Sequence, residues 1–246
     1  MVRAATPRSG AGVANGRSSE QIVVVAAPLR KQVYSLLREA ILTFQYEPGQ
    51  RLIERELCDR YGVSRTVIRE ALRHLEADGM VELLSNRGPA VSTVSADEAS
   101  AIFEIREKVE SIAARYFCER ATPRQRKRLN VALGRVETAY RSGRLVDELH
   151  AKDAFYSVLF EGCGNQVIVS TLLALQNRAQ MLRPISLRAP GRSEEAVTEL
   201  REMVNAMDRE DAAAAERAAA DHVRKAGAVV LKSLSAVRDG VPADPG

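Results

Sequence analysis

The chain has 246 residues, 46% of them hydrophobic and only 4% aromatic, with no Trp and a formal net charge of +4. That length suits two modest domains, and the aliphatic bias suits helices packed through Leu, Ala, Val and Ile. No run of about 18 apolar residues is present to span a membrane. The three cysteines, Cys58, Cys118 and Cys163, lack metal-ligand spacing and read as reduced, buried thiols rather than a disulfide framework.

Residues 1–27 are rich in Gly, Ser, Ala and Arg, lack the apolar stretch of a signal peptide, and read as a disordered basic tail ending in the short apolar QIVVVAAP. From Leu29 the pattern turns helical, with Val33, Leu36, Leu37, Ala40, Ile41 and Phe44 on one face, up to the turn at Pro48-Gly49. Arg51-Leu52-Ile53 reads as extended. A second helix, Glu54–Tyr61, stops at Gly62, and a third, capped by Ser64, runs to about Asp78. Two extended pieces, 81–84 and 90–94, joined by a turn over 85–89, make a β-hairpin. Three short helices followed by a hairpin describe a winged helix-turn-helix over 28–94.

The third helix sorts into two faces. Ile68, Ala71, Leu72 and Leu75 lie at i, i+3, i+4 and i+7 and suit a core. Arg65, Arg69 and Arg73 lie at i, i+4 and i+8 on another face, with Ser64 and Thr66 at the helix start, where free N–H groups and a partial positive charge suit a phosphate. Arg can also read guanine through two parallel hydrogen bonds. Arginines on a helix face are commonly only a solvated surface, and residues 28–92 carry 10 Lys and Arg against 9 Asp and Glu, a net +1. The argument for DNA therefore rests on placement. The compact helix, Gly turn, helix, followed by a wing carrying Arg87, favours duplex DNA.

The stretch from LREAIL to RGPAV, about 29–94, and within it ERELCDRYGVSRTVIREAL, resembles the DNA-binding domain of the GntR family. The resemblance implies that Arg55 contacts phosphate, that Ser64, Arg65, Thr66 and Arg69 meet the major groove, and that Arg87 and Gly88 at the wing tip reach toward the minor groove. Two departures stand out: Phe44-Gln45-Tyr46, where the family often has a Gly-containing turn, and Val67-Ile68, where Pro-Val is common.

Beyond Val94 the pattern is helical throughout. Ser95 and Glu98 suggest a capping box, followed by an apolar stripe of Ile102, Ile105, Val109, Ile112 and Tyr116; Thr122-Pro123 opens another helix. Further helices are expected over 146–160, from there to about Arg183 where Pro184 interrupts, and over 193–208 and 211–235. The fold class is mainly α: the winged helix-turn-helix, an all-α antiparallel helical bundle over 95–238, and a flexible tail over 239–246.

The segments FEIREKVESIAARYFCERATP, FYSVLFEGCGN and AMDREDAAAAERAAADHV resemble, in order, the FCD-type domain of the FadR-like branch, over about 98–234. Such domains often hold a divalent metal through one Asp and three His, and the metal helps bind a carboxylate effector. By that resemblance the ligand positions fall on Lys152, Tyr156 and Leu200, and only His222 remains. One imidazole is not a metal site. Asp153 is turned about 100° around the helix from Lys152 and substitutes poorly, although His150 lies three residues before it. The metal site therefore reads as lost and no cofactor is expected. Arg106, Lys152, Tyr156 and His222 form a candidate site for a small anionic effector; equally, Lys152 could snorkel to water while Tyr156 and Leu200 fill space.

The sequence thus points to a cytoplasmic, nucleoid-associated regulator that binds palindromic operator DNA as a homodimer and acts as a ligand-responsive repressor. The alternative is a DNA-binding dimer whose bundle is a dimerisation module without effector or metal. No catalytic motif is present, and His74 lacks a catalytic partner, so an enzyme is not expected.

Overall fold

The computed structural model describes residues 26–85 and 87–240. Asn86 and nearly all of both expected tails lie outside them. The first helix, α1 (Ala26–Leu42), begins two residues inside the expected tail. It buries Val33, Leu37, Ala40 and Ile41, whereas Leu36, expected on the same face, is half exposed. α2 (Glu54–Tyr61) ends at Gly62, whose φ of 64° lets its N–H return to the Cys58 carbonyl. α3 (Arg65–Ala77) follows at once and lays Ile68, Ala71, Leu72 and Leu75 into the core.

The wing is an antiparallel pair, β1 (Val81–Leu84) and β2 (Gly88–Val91), with Val81 opposite Val91 and Leu84 opposite Gly88. β2 starts and ends earlier than the expected 90–94. The cause is a second neighbour. The segment 49–52 pairs with β2, through Gly49 N–H to Val91 O and Val91 N–H to Gln50 O, both 2.9 Å, and Leu52 N–H to Pro89 O at 2.8 Å. These bonds anchor 89–91 as strand, while Ser92 N–H already turns to Met80 O.

The remaining helices are α4 (Ala96–Arg120), α5 (Pro123–Ser142), α6 (Leu145–Gly162), α7 (Gln166–Leu187), α8 (Arg192–Asp208) and α9 (Ala212–Gly240). Caps set several of their starts: Ser95 accepts from Glu98 N–H, Thr122 and Gln125 form a full capping box, and Asn165 accepts from Val167 and Ile168 N–H. α4 packs along α9, α5 along α6, and α8 against both α9 and α5. α9 runs through Gly240, past the expected tail boundary.

Two expectations are corrected. Pro184 does not interrupt α7, which continues to Leu187; Pro184 sits in the last turn, where little helix remains to be disrupted, and its carbonyl accepts from Arg188 N–H. The α4 stripe divides as well. Ile102 is buried, but Ile105 and Ile112 are 47% and 37% exposed, with Val109 and Tyr116 half-buried beside them. The inward face of α4 instead carries Phe103, Arg106, Glu110, Ala113, Ala114 and Phe117.

Gly162 closes α6 against α4. A Cβ there would lie 2.4 Å from two ring carbons of buried Phe117. In an open helix interior Ala would gain about 1 kcal/mol over Gly. At a helix end that gain shrinks, while overpacking costs about 1–3 kcal/mol. Gly162→Ala is therefore expected to lower the urea midpoint of unfolding, with an unchanged slope.

Candidate nucleic-acid interface and charged interior

α1 and α2 support α3 from behind, so its other face is open. Ser64, Arg65, Thr66 and Arg69 are all exposed, as is Arg55 on α2. Ser64 occupies the N-cap position with extended backbone, yet its hydroxyl makes no capping bond. It does not close the helix start, which leaves the first N–H groups available to an incoming oxygen. Arg65 has no ion-pair partner among the described residues. Arg69 is different: its Nε donates to both carboxylate oxygens of Glu54, at 2.9 and 3.0 Å. That fork fixes the guanidinium and leaves its two terminal nitrogens without a partner among the described residues. Arg73 pairs with Glu70. On the wing, Arg87 is exposed and Gly88 adopts a φ of 79°. Of the seven expected DNA-facing residues, six on α2, on α3 and its cap, and on the wing are exposed and Gly88 is half-buried. Glu54, which sequence reading passed over, holds one of them.

The second expected site lies deep in the bundle. Arg106, Lys152, Tyr156 and His222 are all buried, and each faces further charges. Arg106 Nε donates to Glu110 at 2.6 Å. Burial alone would raise the Glu110 carboxyl, but Arg106 holds it below the usual range. Arg192 forks onto Glu199 at 3.1 and 2.7 Å, and His222 Nδ1 lies 2.6 Å from the same carboxylate. Burial would raise Glu199 as well, but the bonds from His222 and Arg192 bring it to about 2. Burial, reinforced by the charge of Lys152, lowers His222 to about 4 despite Glu199. Neutral His222 therefore donates from Nδ1 to ionised Glu199.

Lys152 is the exception. It has neither an ion pair nor a hydrogen bond among the described residues. Burial, then repulsion from Arg183, Arg106 and Arg192, lowers its ammonium to about 7. Beside it the Arg183 guanidinium lies 5.1 Å from the Tyr156 ring centroid. Tyr156 Oη and Arg183 Nε are buried without a hydrogen-bond partner among the described residues. Lys152 does not snorkel to water, being only 5% exposed. Tyr156 and Leu200 are fully buried. Of the charged members, Glu110, Arg183, Arg192 and Glu199 were missed. Only the i, i+4 spacing of Arg106 and Glu110 was a readable signal.

Asp153 turns away from this interior, as its helix position implies. It meets Arg38 of α1 at 3.3 Å, Gln180 at 3.4 Å, and Arg183. His150 is exposed. Among the described residues no three His, Cys, Asp or Glu side chains converge as metal ligands.

Against known families, residues 29–91 match the bacterial regulatory proteins of the gntR family, and residues 101–225 match the FCD domain. The chain belongs to the GntR family. It is a DNA-binding transcription regulator of the kind that couples the GntR head to an FCD domain. This GntR regulator is 26% identical over 198 residues to the HTH-type transcriptional repressor RspR of Escherichia coli, covering 80% of this chain and 87% of RspR. It is 25% identical over 191 residues to the HTH-type transcriptional regulator YdhC of Bacillus subtilis, covering 77% and 85%. Among solved structures, E. coli McbR/YncC superposes with a TM-score of 0.71 at 20% identity, covering 83% of this chain and 98% of McbR, which supports the fold. The relatives are transcription regulators, not enzymes. No described helix is long and apolar enough to cross a membrane.

Arg65→Ala is expected to remove about 1–3 kcal/mol of affinity for a mapped operator, as for loss of a bidentate base contact. Arg73→Ala, two turns from the helix start and already paired, is expected to change it less. Fluorescence anisotropy with folded variants checks the order.

Proposed function

We propose that this regulator is a repressor that binds a palindromic operator as a homodimer and answers to a small anionic effector held inside the FCD domain. Arg55, Ser64, Arg65, Thr66, Arg69, Arg87 and Gly88 form the DNA contact set, acting on the chromosome in the cytoplasm. The exposure of all of them but the half-buried Gly88 supports that assignment. Repression is supported by the relatives named as repressors. A two-fold dimer matches the symmetry of operators read by helix-turn-helix proteins.

The effector reading rests on one observation: Lys152 is buried and unpaired amid three guanidinium groups. An ammonium in that position has only the unbonded charges of Glu110 and Glu148 to set against three guanidinium groups and its desolvation. A carboxylate would supply the charge, and would also meet Tyr156 Oη and Arg183 Nε, which lack hydrogen-bond partners among the described residues. Lys152, Tyr156 and Arg183 are the leading contacts. Arg106 and His222, engaged by Glu110 and Glu199, line the site and set its charge. A divalent metal does not fit these residues, because the first ligand position is a cation and His222 already donates to Glu199. The second reading, a dimerisation module without effector, draws on the same pairs, since Arg106–Glu110 and Arg192–Glu199–His222 satisfy much of the interior without a ligand. For the dimer, the outward stripe of Ile105, Val109, Ile112 and Tyr116 on α4 offers an apolar face to a second copy.

The sign of proton linkage separates the two readings. At pH 8 free Lys152 is mostly neutral, and an anion favours its charged form, so binding takes up a proton. At pH 6 Lys152 is already charged and uptake vanishes. Calorimetry with small carboxylates such as succinate, in buffers of different ionisation enthalpy, is expected to show uptake at pH 8 only, and none in Lys152→Met. Absence of binding by any carboxylate favours the module without effector. Ile105→Asp with Ile112→Asp is expected to shift sedimentation toward monomer; an unchanged dimer places the interface elsewhere.

A further inference from the structure

The DNA-binding head meets the helical domain along α6, α7 and the cap of α7, and two of these junctions join side chains of α1 and of the turn after it to the bundle. At the first, Arg38 of α1 donates to Asp153 at 3.3 Å and to the side-chain carbonyl of Gln180. Gln180 donates to Asp153 at 3.4 Å, and Arg183 donates to the other side of the junction, again on Asp153. At the second, the Arg188 guanidinium sits 4.4 Å from the Phe44 ring centroid and donates to Thr43 O at 3.2 Å. Phe44 has a φ of 58°. A left-handed conformation costs a residue with a Cβ on the order of 1–2 kcal/mol, and here it stands at a position where a Gly would be free of strain. Phe44 places its ring under Arg188, so the strained turn is also a docking point.

The Asp153 carboxylate is therefore shared. One claimant, Arg38, belongs to the head, and one turn away on the same helix Tyr34 bonds to Asp78 at the end of the reading helix. The other claimant, Arg183, belongs to the charged interior, where its Nε lacks an acceptor among the described residues and its guanidinium lies over Tyr156. We propose that Asp153 is the latch between effector site and reading head: an anion that draws Arg183 inward leaves Asp153 to Arg38 and Gln180 and locks the head against α6 and α7. This regulation rests on the anion-site reading above, but the shared carboxylate stands on its own geometry. A ligand that favours one arrangement of the head shifts the population toward it, and locking the head sets its direction relative to its two-fold mate.

The test is hydrogen exchange at the last turn of α1 and at residues 43–46, in the full-length protein. Arg38→Gln and Asp153→Asn are each expected to speed exchange there about tenfold, the loss of one charge-assisted bond, and the double variant no further. Arg183→Gln is expected to act in the opposite sense and slow it, because the Asp153 charge is then paired by Arg38 alone; Arg183→Met serves if the Gln variant fails to fold. Unchanged exchange in Asp153→Asn, or faster exchange at α1 in a folded Arg183 variant, overturns the latch. Succinate, against chloride of equal ionic strength, is expected to slow α1 exchange in the wild type and not in Lys152→Met. Succinate that binds by calorimetry without altering α1 overturns the coupling. Failure of succinate and other small carboxylates to bind overturns the anion site and the coupling to it, while the variant arms still decide whether the carboxylate is shared.

Discussion

A charge inside a helical bundle is costly unless another charge or a hydrogen bond answers it, and an unanswered group shifts toward its neutral form. That constraint organises the C-terminal half of this regulator. α4 cannot present a purely apolar stripe inward, because Arg106 and Glu110 lie on its buried side. Their partners fix the neighbours: α6 brings Lys152 and Tyr156, α7 brings Arg183, α8 brings Arg192 and Glu199, and α9 brings His222. Removing one member of such a set leaves its partner unanswered, which costs more than the pair itself contributes. The bundle is thus tied by charge at its centre and by Leu, Ala and Phe contacts around it.

The same constraint links the halves of the molecule. Asp153 lies on α6 next to Lys152 in sequence but around the helix from it, so one residue faces the interior and the other faces the head. Arg183 reaches both. The N-terminal domain needs no such device within itself, since Ile68, Ala71, Leu72 and Leu75 of α3 close onto an apolar core. Its polar interactions lie at the edges, where Glu54 steers Arg69 and Tyr34 holds the end of α3 through Asp78.

The N-terminal domain was legible because its signals are local. Gly62, the spacing of apolar positions in α3 and the hairpin residues determine their own geometry within a few positions. The second strand was misplaced because its register depends on residues 49–52, some forty positions away. The α4 stripe was misread for a related reason. A period of 3.6 identifies apolar positions but not which side becomes core, and here the charged side became core because four other helices face it with polar and charged groups. Phe44 could be marked as departing from a Gly turn, but its compensation by Arg188 depends on the docking of two domains. Lys152 was readable as a replacement for a metal ligand. Its isolation among arginines was not, because Arg183 and Arg192 lie in other helices.

The central claim is that the exposed side of α2, α3 and the wing reads duplex DNA in two symmetric copies. Selection from a random duplex pool by the full-length protein tests it most directly. The account predicts enrichment of an inverted repeat whose half-sites sit about one helical turn apart, or a multiple of it, on one face of the DNA. Failure to enrich any duplex sequence above background, or enrichment of a single asymmetric site, would contradict it.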